Sequence, residues 1–244
     1  MQTILQLNSS LSGAAGQSSQ LAGAFAAALG RASGARVTVR DLATQPVPHL
    51  TLERFQAFGT PVAERTLEQQ RYVAESDALV EELRRADTIV LGLPMYNFGV
   101  PSTLKAYFDH VARSGVTFRY TPNGPVGLLT GKKVFVFATR GGRYAGTPGD
   151  LQTAYVRQFL DQRVGLRHVT LLLERTLGDR RAERLEPLEC QVRYRLHGEI
   201  ADRDPRAGGA GERRRERAGE LRGLPSRAGQ AGVQLKDGVH GWPL

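Results

Sequence analysis

A short apolar segment at residues 88–93, reading Thr-Ile-Val-Leu-Gly-Leu, constrains the fold more than any other feature of this chain. Its length and β-branched content are typical of a strand that is buried on both faces. Pro94 follows and has no backbone N–H to donate to a sheet, so we expect the strand to end before it. Strands of this kind occur mainly in parallel sheets covered by helices, and the segment therefore predicts the centre of an α/β fold.

Further apolar segments alternate along the chain with segments of helical spacing. Five strands are predicted, at residues 2–8, 36–40, 88–93, 132–139 and 168–173. Helices are predicted from about residue 21, over 66–85, over 101–111 and over 150–159, the last with Leu151, Tyr155, Phe159 and Leu160 on its core face. Residues 49–65 indicate a loop or irregular helix, and residues 116–120 one arm of a hairpin-like excursion. The alternation predicts a doubly wound, five-stranded parallel sheet with helices on both faces.

The composition changes after residue 173. Residues 174–244 contain 15 Lys and Arg, 12 Asp and Glu, 11 Gly and 4 Pro, with few long apolar side chains. Such a segment buries too little apolar surface to offset the entropy lost on ordering. We therefore predict one folded domain over residues 1–173 and a poorly ordered, Arg- and Gly-rich tail over 174–244. The arginines at 213–217 alternate with glutamates and lack interleaved aromatics, which favours a solvated tail over a nucleic-acid site.

The charge and composition indicate which ligands and which cellular compartment suit the chain. The net charge of +9 favours anionic ligands. The single cysteine, Cys190, excludes an internal disulfide and suits a reducing cytosol. No apolar run approaches the ~18 residues that span a bilayer, and no basic segment precedes the first apolar residues. We expect a cytoplasmic protein without membrane contact, and the five histidines lack metal-ligand spacing, so no metal is expected.

Residues 9–20 form a loop rich in hydroxyls and glycine between the first strand and a helix. Backbone N–H groups at a helix N-terminus carry partial positive charge and can hold a phosphate. The segment Gly13–Ser18 lacks the Gly-Lys-Ser/Thr ending of a nucleoside-triphosphate loop, and its glycines do not match G-x-G-x-x-G. The remaining phosphate ligand is that of flavin mononucleotide (FMN), while an ordinary helix N-cap explains the same residues equally well.

Residues 95–100, directly after the central strand, contain two aromatics, an amide and a glycine. In open α/β sheets, ligands bind outside the carboxyl ends of the strands. The loop therefore suits a flat heteroaromatic ring better than a sugar or a metal. The alternative is that Tyr96 and Phe98 only pack against the protein.

With these motifs laid out, the chain resembles the FMN-dependent NADH-azoreductases, a family of flavodoxin-like quinone reductases. The matching segments are Ser9-Ser10, Gly16-Gln17-Ser18, Pro94-Met95-Tyr96-Asn97-Phe98, Leu104-Lys105-x-Tyr107-Phe108-Asp109, Gly115-Val116-Thr117-Phe118-Arg119-Tyr120, Gly131-Lys132-Lys133 and Thr139-Arg140-Gly141-Gly142. They lie in the family's order and spacing over residues 2–173. The resemblance implies a flavodoxin-like fold with strand order 2-1-3-4-5.

The resemblance also implies a role for particular residues. Those that hold the FMN phosphate are Ser10, the Gly16 backbone, Gln17 and Ser18. Those that line the isoalloxazine ring are Met95, Tyr96, Asn97 and Phe98 on one side, with Thr139, Arg140, Gly141 and Gly142 along its other polar edge. Phe98 and Tyr120 border the substrate pocket, which in this family lies at a homodimer interface. No side chain is expected to act as a catalytic nucleophile.

The implied activity is reduction of quinones, with NADH as donor, by ping-pong two-electron transfer through FMN. The same chemistry cleaves aromatic azo compounds to amines, and it protects against electrophilic quinones. Two alternatives stay open from the residues. One is a flavodoxin-type electron carrier without NADH-dependent turnover, and the other is a flavin-free module whose basic tail binds a polyanion.

Two departures from the family pattern bear on these expectations. Residue 16 is glycine where relatives often have serine, which removes one hydroxyl from the predicted phosphate site. After Leu160 the chain reads Asp-Gln-Arg-Val-Gly in place of a Gly-Phe-Ile-Gly-like turn, so a family aromatic near residue 162 is missing. The abrupt change of composition beyond it suggests a frameshifted reading of the terminal helix.

Overall fold

The structure, a computed structural model, describes residues 1–142 and 144–176, with side chains up to residue 170. The predicted tail at 174–244 lies outside the described residues except for its first three, and Cys190 and the hypothesis of a frameshifted terminal helix fall entirely outside them.

Twelve regular helices and strands follow one another along the described chain. They are β1 (Thr3–Asn8), α1 (Gln17–Ser33), β2 (Arg36–Asp41), α2 (Leu52–Gly59), α3 (Leu67–Arg85), β3 (Thr88–Pro94), α4 (Ser102–Val111), β4 (Phe118–Thr121), β5 (Gly124–Gly127), β6 (Lys133–Arg140), α5 (Leu151–Phe159) and β7 (His168–Thr176). Short 3₁₀ turns at Gly13–Ala15 and Val62–Glu64 and a π-helical turn at Leu160–Val164 complete the described chain.

Five parallel strands form the sheet in the order β2-β1-β3-β6-β7. Counted as the first to fifth strands of the sheet, this order is 2-1-3-4-5, so the predicted fold and strand order are confirmed. The strands β4 and β5 form a separate antiparallel hairpin, which is the predicted excursion.

Helices cover both faces of the sheet. The larger apolar cluster lies on the face that packs against α3, α4 and α5, and it includes Leu91, Phe108 and Val156. The smaller cluster lies on the opposite face, where α1 packs Phe25 against Phe135 with ring centroids 4.7 Å apart. Among the described residues, α1 is the helix that packs on this second face.

The predicted end of the central strand was wrong by one residue. Pro94 is the last residue of β3 and pairs with Thr139 of β6. Proline fits this terminal position because Met95, one residue later, supplies the next N–H and donates to the Thr139 carbonyl at 2.9 Å. The last strand also runs further than predicted, to Thr176 and not to residue 173.

The predicted core face of α5 was partly wrong. Leu151 is 64% exposed, and the buried residues of the helix are Gln152, Val156 and Phe159. Asp150 caps the helix by accepting a hydrogen bond from the Thr153 N–H at 3.1 Å. Gln152, Val156 and Phe159 are spaced by four and three positions, so they share one face of the helix, and this is the face that is buried.

Candidate functional site

The carboxyl ends of three neighbouring strands meet at one edge of the sheet. Asn8 of β1 lies beside Gly92 of β3, and Pro94 of β3 lies beside Thr139 of β6. The chain order reverses between β1 and β3, which makes this edge the topological switch point where open α/β sheets bind ligands. The loops at 9–16, 95–101 and 141–150 leave the sheet here, and they contain most of the predicted site residues.

The first loop leads into the N-terminus of α1, where buried hydroxyls lack partners. Gly16 is the N-cap of α1 and supplies no side-chain hydrogen bond to the first turn. The hydroxyls of Ser18 and Ser19 are buried in that turn and have no hydrogen-bond partner among the described residues. Buried donors are normally satisfied, so these groups and the free N–H groups of the turn fit an anionic ligand such as a phosphate. Gln17 is exposed at the same helix end.

Position 16 has no room for a side chain, which explains why the residue there is glycine. A Cβ built on Gly16 would lie 2.2 Å from the Oγ of Ser10 and 2.5 Å from its Cβ. Real Cβ atoms do not approach other atoms so closely, so Ser10 occupies the space that a side chain at 16 would need. Glycine at position 16, where the family often has serine, therefore leaves room for the Ser10 hydroxyl.

Tyr96 connects the first loop to the second. Its hydroxyl accepts a hydrogen bond from the Leu11 N–H at 3.2 Å and lies 3.5 Å from the Oγ of Ser10. The Ser10 hydroxyl in turn accepts from the Ser12 N–H at 3.2 Å. Two of the predicted site residues, Ser10 and Tyr96, are thus brought together by the fold.

The second loop contains a tight turn with a strained backbone. The N–H groups of Tyr96 and Gly99 donate to each other's carbonyls, at 3.2 and 2.9 Å. The two residues between them have positive φ angles, 48° at Asn97 and 64° at Phe98. For a residue as bulky as Phe98 this left-handed conformation costs about 1–3 kcal/mol, and such strain concentrates at ligand sites. Asn97 and Phe98 are both exposed, and Phe98 packs edge-on against Tyr144 with ring centroids 5.6 Å apart.

A buried amide that sequence reasoning missed holds this turn in place. The Nε2 of Gln152 donates to the carbonyls of Pro94 and Gly99, at 2.8 and 2.9 Å. Gln152 is 1% exposed, and its Oε1 has no partner among the described residues. The sequence does contain a signal for this role. Gln152 is a polar residue at helical spacing from the apolar Val156 and Phe159, and this spacing indicates an amide on the apolar face of α5.

The third loop follows Arg140, the last residue of β6, and an ion pair joins Arg140 to Asp150, the N-cap of α5. The Nη2 of Arg140 donates to the Thr153 hydroxyl at 2.6 Å and lies 3.0 Å from the Oδ1 of Asp150. Burial alone would raise the pKa of the Asp150 carboxyl, but hydrogen bonds from Arg140 and Thr153 outweigh burial and lower that pKa. The Nη2 of Arg140 thus contacts α5. Of the other predicted residues here, Thr139 is buried at the end of β6 and Gly141 is exposed. Gly142 lies beside the Tyr144 ring.

The two predicted pocket aromatics do not contact each other. Tyr120 lies on β4, is 68% exposed and packs edge-on against Phe118 with ring centroids 5.3 Å apart. No ring contact joins Tyr120 to Phe98 in the part of the chain that the structure describes. Within residues 1–142 and 144–176 there is also no cluster of metal-ligating side chains, and no helix there is long and apolar enough to cross a membrane.

The sequence and the fold match a known class of proteins. A family model described as the flavodoxin-like fold matches residues 2–193, and the chain belongs to that family. An FMN-dependent NADH:quinone oxidoreductase of Cellvibrio japonicus is 53% identical over 170 residues, which are 69% of this chain and 85% of the relative. An FMN-dependent NADH:quinone oxidoreductase 6 of Burkholderia lata is 56% identical over 161 residues, 66% of this chain and 81% of the relative.

Solved structures agree with the sequence relatives. The crystal structure of an azoreductase from Bacillus anthracis has a TM-score of 0.63 and 28% identity to this chain, over 71% of this chain and 86% of that one. The resemblance to the FMN-dependent quinone reductases and azoreductases that the motifs indicated is confirmed.

Proposed function

We propose that this chain is an FMN-dependent NADH:quinone oxidoreductase that also cleaves aromatic azo compounds to amines. The observation that carries the proposal is the pair of unpartnered, buried serine hydroxyls at the uncapped N-terminus of α1, beside the strained turn at Tyr96–Gly99. FMN has a phosphate at one end and a flat ring at the other, and this edge of the sheet offers a fitting surface for each end. The sequence relatives support this function over that of a flavodoxin-type electron carrier.

At the phosphate end we assign binding to Ser10, the Gly16 backbone, Gln17 and Ser18. The buried hydroxyl of Ser18 and the free N–H groups of the first turn supply donors, and the helix dipole adds partial positive charge. Ser19, whose hydroxyl is also buried without a partner, joins this group on the same ground.

At the ring end we assign contacts to the turn residues Met95, Tyr96, Asn97 and Phe98 and to the backbone of Thr139, Arg140, Gly141 and Gly142. The turn is held from behind by Gln152 and the third loop by the Arg140–Asp150 pair, so both edges of the ring site are preorganised. Backbone N–H groups after β6 would stabilise negative charge that develops on a reduced ring.

Bound FMN supplies two-electron redox chemistry, with hydride from NADH as the source and a quinone or azo group as the acceptor. The chain's part is to bind donor and acceptor in turn over the same ring face, which predicts ping-pong kinetics. A quinone takes two electrons and two protons to become a hydroquinone. An azo group takes four electrons and four protons over two cycles, and its N–N bond is then broken to give two amines.

We also propose that the substrate pocket is completed by a second copy of the chain. The support is that Phe98 and Tyr120 are both exposed, 54% and 68%, and do not meet within one chain. A homodimer that brings Tyr120 of one copy near Phe98 of the other would let both rings line one pocket. We place the enzyme in the cytoplasm, where reduction protects against electrophilic quinones, and assign the reductase domain to residues 1–173.

The visible spectrum of the purified protein tests the proposal. Flavin bands that bleach on anaerobic addition of NADH and return with a benzoquinone are the expected result. A chain that stays colourless with added FMN would overturn the proposal, and bands that do not bleach would favour the electron carrier. Light scattering on a sizing column gives the oligomeric state independently.

A further inference from the structure

A π-helical turn at Leu160–Val164 places an arginine next to the hairpin of β4 and β5. The Gly165 N–H donates to the Leu160 carbonyl at 2.9 Å, which closes the wide turn, and the Leu129 N–H donates to the Val164 carbonyl at 2.8 Å. A Cβ on Gly127 of β5 would lie 2.0 Å from the Gly165 nitrogen, so the turn and the hairpin meet backbone to backbone. Isolated π-helical turns of this kind are frequent at functional sites.

Arg163, within this turn, lies over the aromatic side chains of β4. Its Cζ is 4.8 Å from the ring centroid of Phe118 and 5.8 Å from that of Tyr120. Both distances are within the ~6 Å range of cation–π attraction. Phe118 is buried at 5% exposure and forms the floor, whereas Tyr120 presents an open ring.

Within the described side chains, the positive charge of Arg163 has no acidic partner. No carboxylate among the described side chains forms an ion pair with Arg163, and Asp161 in the same turn pairs with Arg167 at 3.2 Å. An exposed ring beside an unpaired guanidinium is complementary to an aromatic anion, because the ring stacks on the flat ligand while the guanidinium binds its acidic group.

We propose that Arg163 and Tyr120 form a subsite for the acidic group of a sulfonated or carboxylated aromatic acceptor. The inference rests on the proposed function in that Tyr120 borders the acceptor pocket. Arg163 is then a specificity-determining residue. Neutral quinones and azo compounds gain only stacking at this subsite, whereas acceptors with a sulfonate or carboxylate also gain a charge-assisted hydrogen bond.

A pair of azo dyes that differ by one group tests this subsite. The dyes are 4-(dimethylamino)azobenzene and its 4′-sulfonate, and NADH-dependent reduction of each is measured with FMN-loaded enzyme. We expect Arg163→Met to lower kcat/KM for the sulfonated dye about tenfold, mainly through KM, because one charge-assisted hydrogen bond is lost. The neutral dye should change less than about twofold, since methionine keeps the contact with Phe118, and Arg163→Lys should restore part of the loss.

Arg119→Gln is the matched control for the loss of charge. Arg119 is exposed and adjoins Tyr120 in β4, but neighbouring residues of a strand point to opposite faces. The ratio of the two kcat/KM values should stay unchanged in this variant. An equal fall for both dyes in Arg163→Met, or no change for either, would overturn the subsite and leave Arg163 as a packing residue on Phe118.

Equilibrium dialysis of both dyes separates this inference from the proposed function, because it requires no turnover. Binding of the sulfonated dye should weaken about tenfold in Arg163→Met even if the chain proves inactive with every acceptor. Equal binding of that dye to the unaltered chain and to Arg163→Met would contradict the subsite, whatever the activity.

Discussion

The Nε2 of Gln152 lies 2.9 Å from the carbonyl oxygen of Gly99 and donates a hydrogen bond to it across the base of the strained turn. Its second hydrogen goes to the Pro94 carbonyl at 2.8 Å, so one buried amide fixes both the end of β3 and the end of the turn. The left-handed conformation of Phe98 needs such external support because its bulky side chain disfavours it, whereas asparagine tolerates the same region at position 97.

Replacing Gln152 by leucine should therefore affect both stability and cofactor binding. The buried Pro94 carbonyl and the partly buried Gly99 carbonyl each lose one hydrogen bond, which should lower the free energy of unfolding by about 1–3 kcal/mol. FMN should bind on the order of tenfold more weakly, because the turn relaxes. Urea denaturation and FMN titration measure the two effects. Gln158→Leu on the exposed side of α5 is the control, and equal effects in the two variants would show that Gln152 has no special role.

Replacing Ser18 by alanine should have opposite effects on the free chain and on the complex. The hydroxyl is buried without a partner, so its removal should leave the FMN-free chain equally stable or more stable by up to about 1–3 kcal/mol. FMN affinity should fall about 10- to 100-fold through loss of a bond to phosphate. Thermal melts with and without FMN report both changes.

Ser9→Ala is the control variant for the Ser18→Ala experiment. The Ser9 hydroxyl donates to the Gly92 carbonyl at 2.7 Å, so its loss should destabilise the FMN-free chain. A Ser18→Ala variant that is destabilised without FMN like Ser9→Ala, with unchanged FMN affinity, would argue against a phosphate at α1.

A side chain at position 16 should not fit beside Ser10. Gly16→Ala brings a Cβ to 2.2 Å from the Ser10 hydroxyl oxygen, and the displacement should cost about 1–3 kcal/mol of stability. Ser10→Gly in the same chain should relieve the clash and recover part of the loss. Gly59→Ala, where no atom lies within 4 Å of the added Cβ, should be tolerated. Chemical denaturation of the three variants and the unaltered chain measures these changes.

The Arg140–Asp150 pair should make stability depend on pH in the acid range. The pKa of Asp150 is lower in the folded chain than its ordinary value, so this carboxylate contributes stability that is fully present above the unfolded pKa of about 3.9. That contribution is lost as the pH falls through the lower pKa of the folded state. The difference in unfolding free energy between the unaltered chain and Asp150→Asn should shrink in that window.

Denaturation curves between neutral pH and about pH 3 measure this dependence. Asp161→Asn, which removes an exposed ion pair with Arg167, should show little dependence because such pairs contribute only about 0–1 kcal/mol. A pH-independent difference for Asp150→Asn would contradict the assigned pKa shift.

The resemblance to the azoreductase family supplied the strand order, which the pairing of residues 88–93 with β1 and β6 confirms. Local periodicity predicted the five strands and the helices between them. It also placed Ser10, Tyr96 and Thr139 at one edge of the sheet, because strand ends are encoded by the residues that form and follow each strand. These features depend on neighbours along the chain, so the sequence alone was sufficient to predict them.

Only the tertiary structure decided which side chains support the site. The spacing of α5 predicts an inward Leu151, yet Gln152 is the buried residue, because the packing of the helix decides which of its faces is buried. The hydrogen bond from Gln152 to Gly99 and the position of Arg163 over Tyr120 likewise arise between segments far apart in sequence. Such contacts depend on distances that no local pattern encodes, and they exist only once the sheet has brought its loops together.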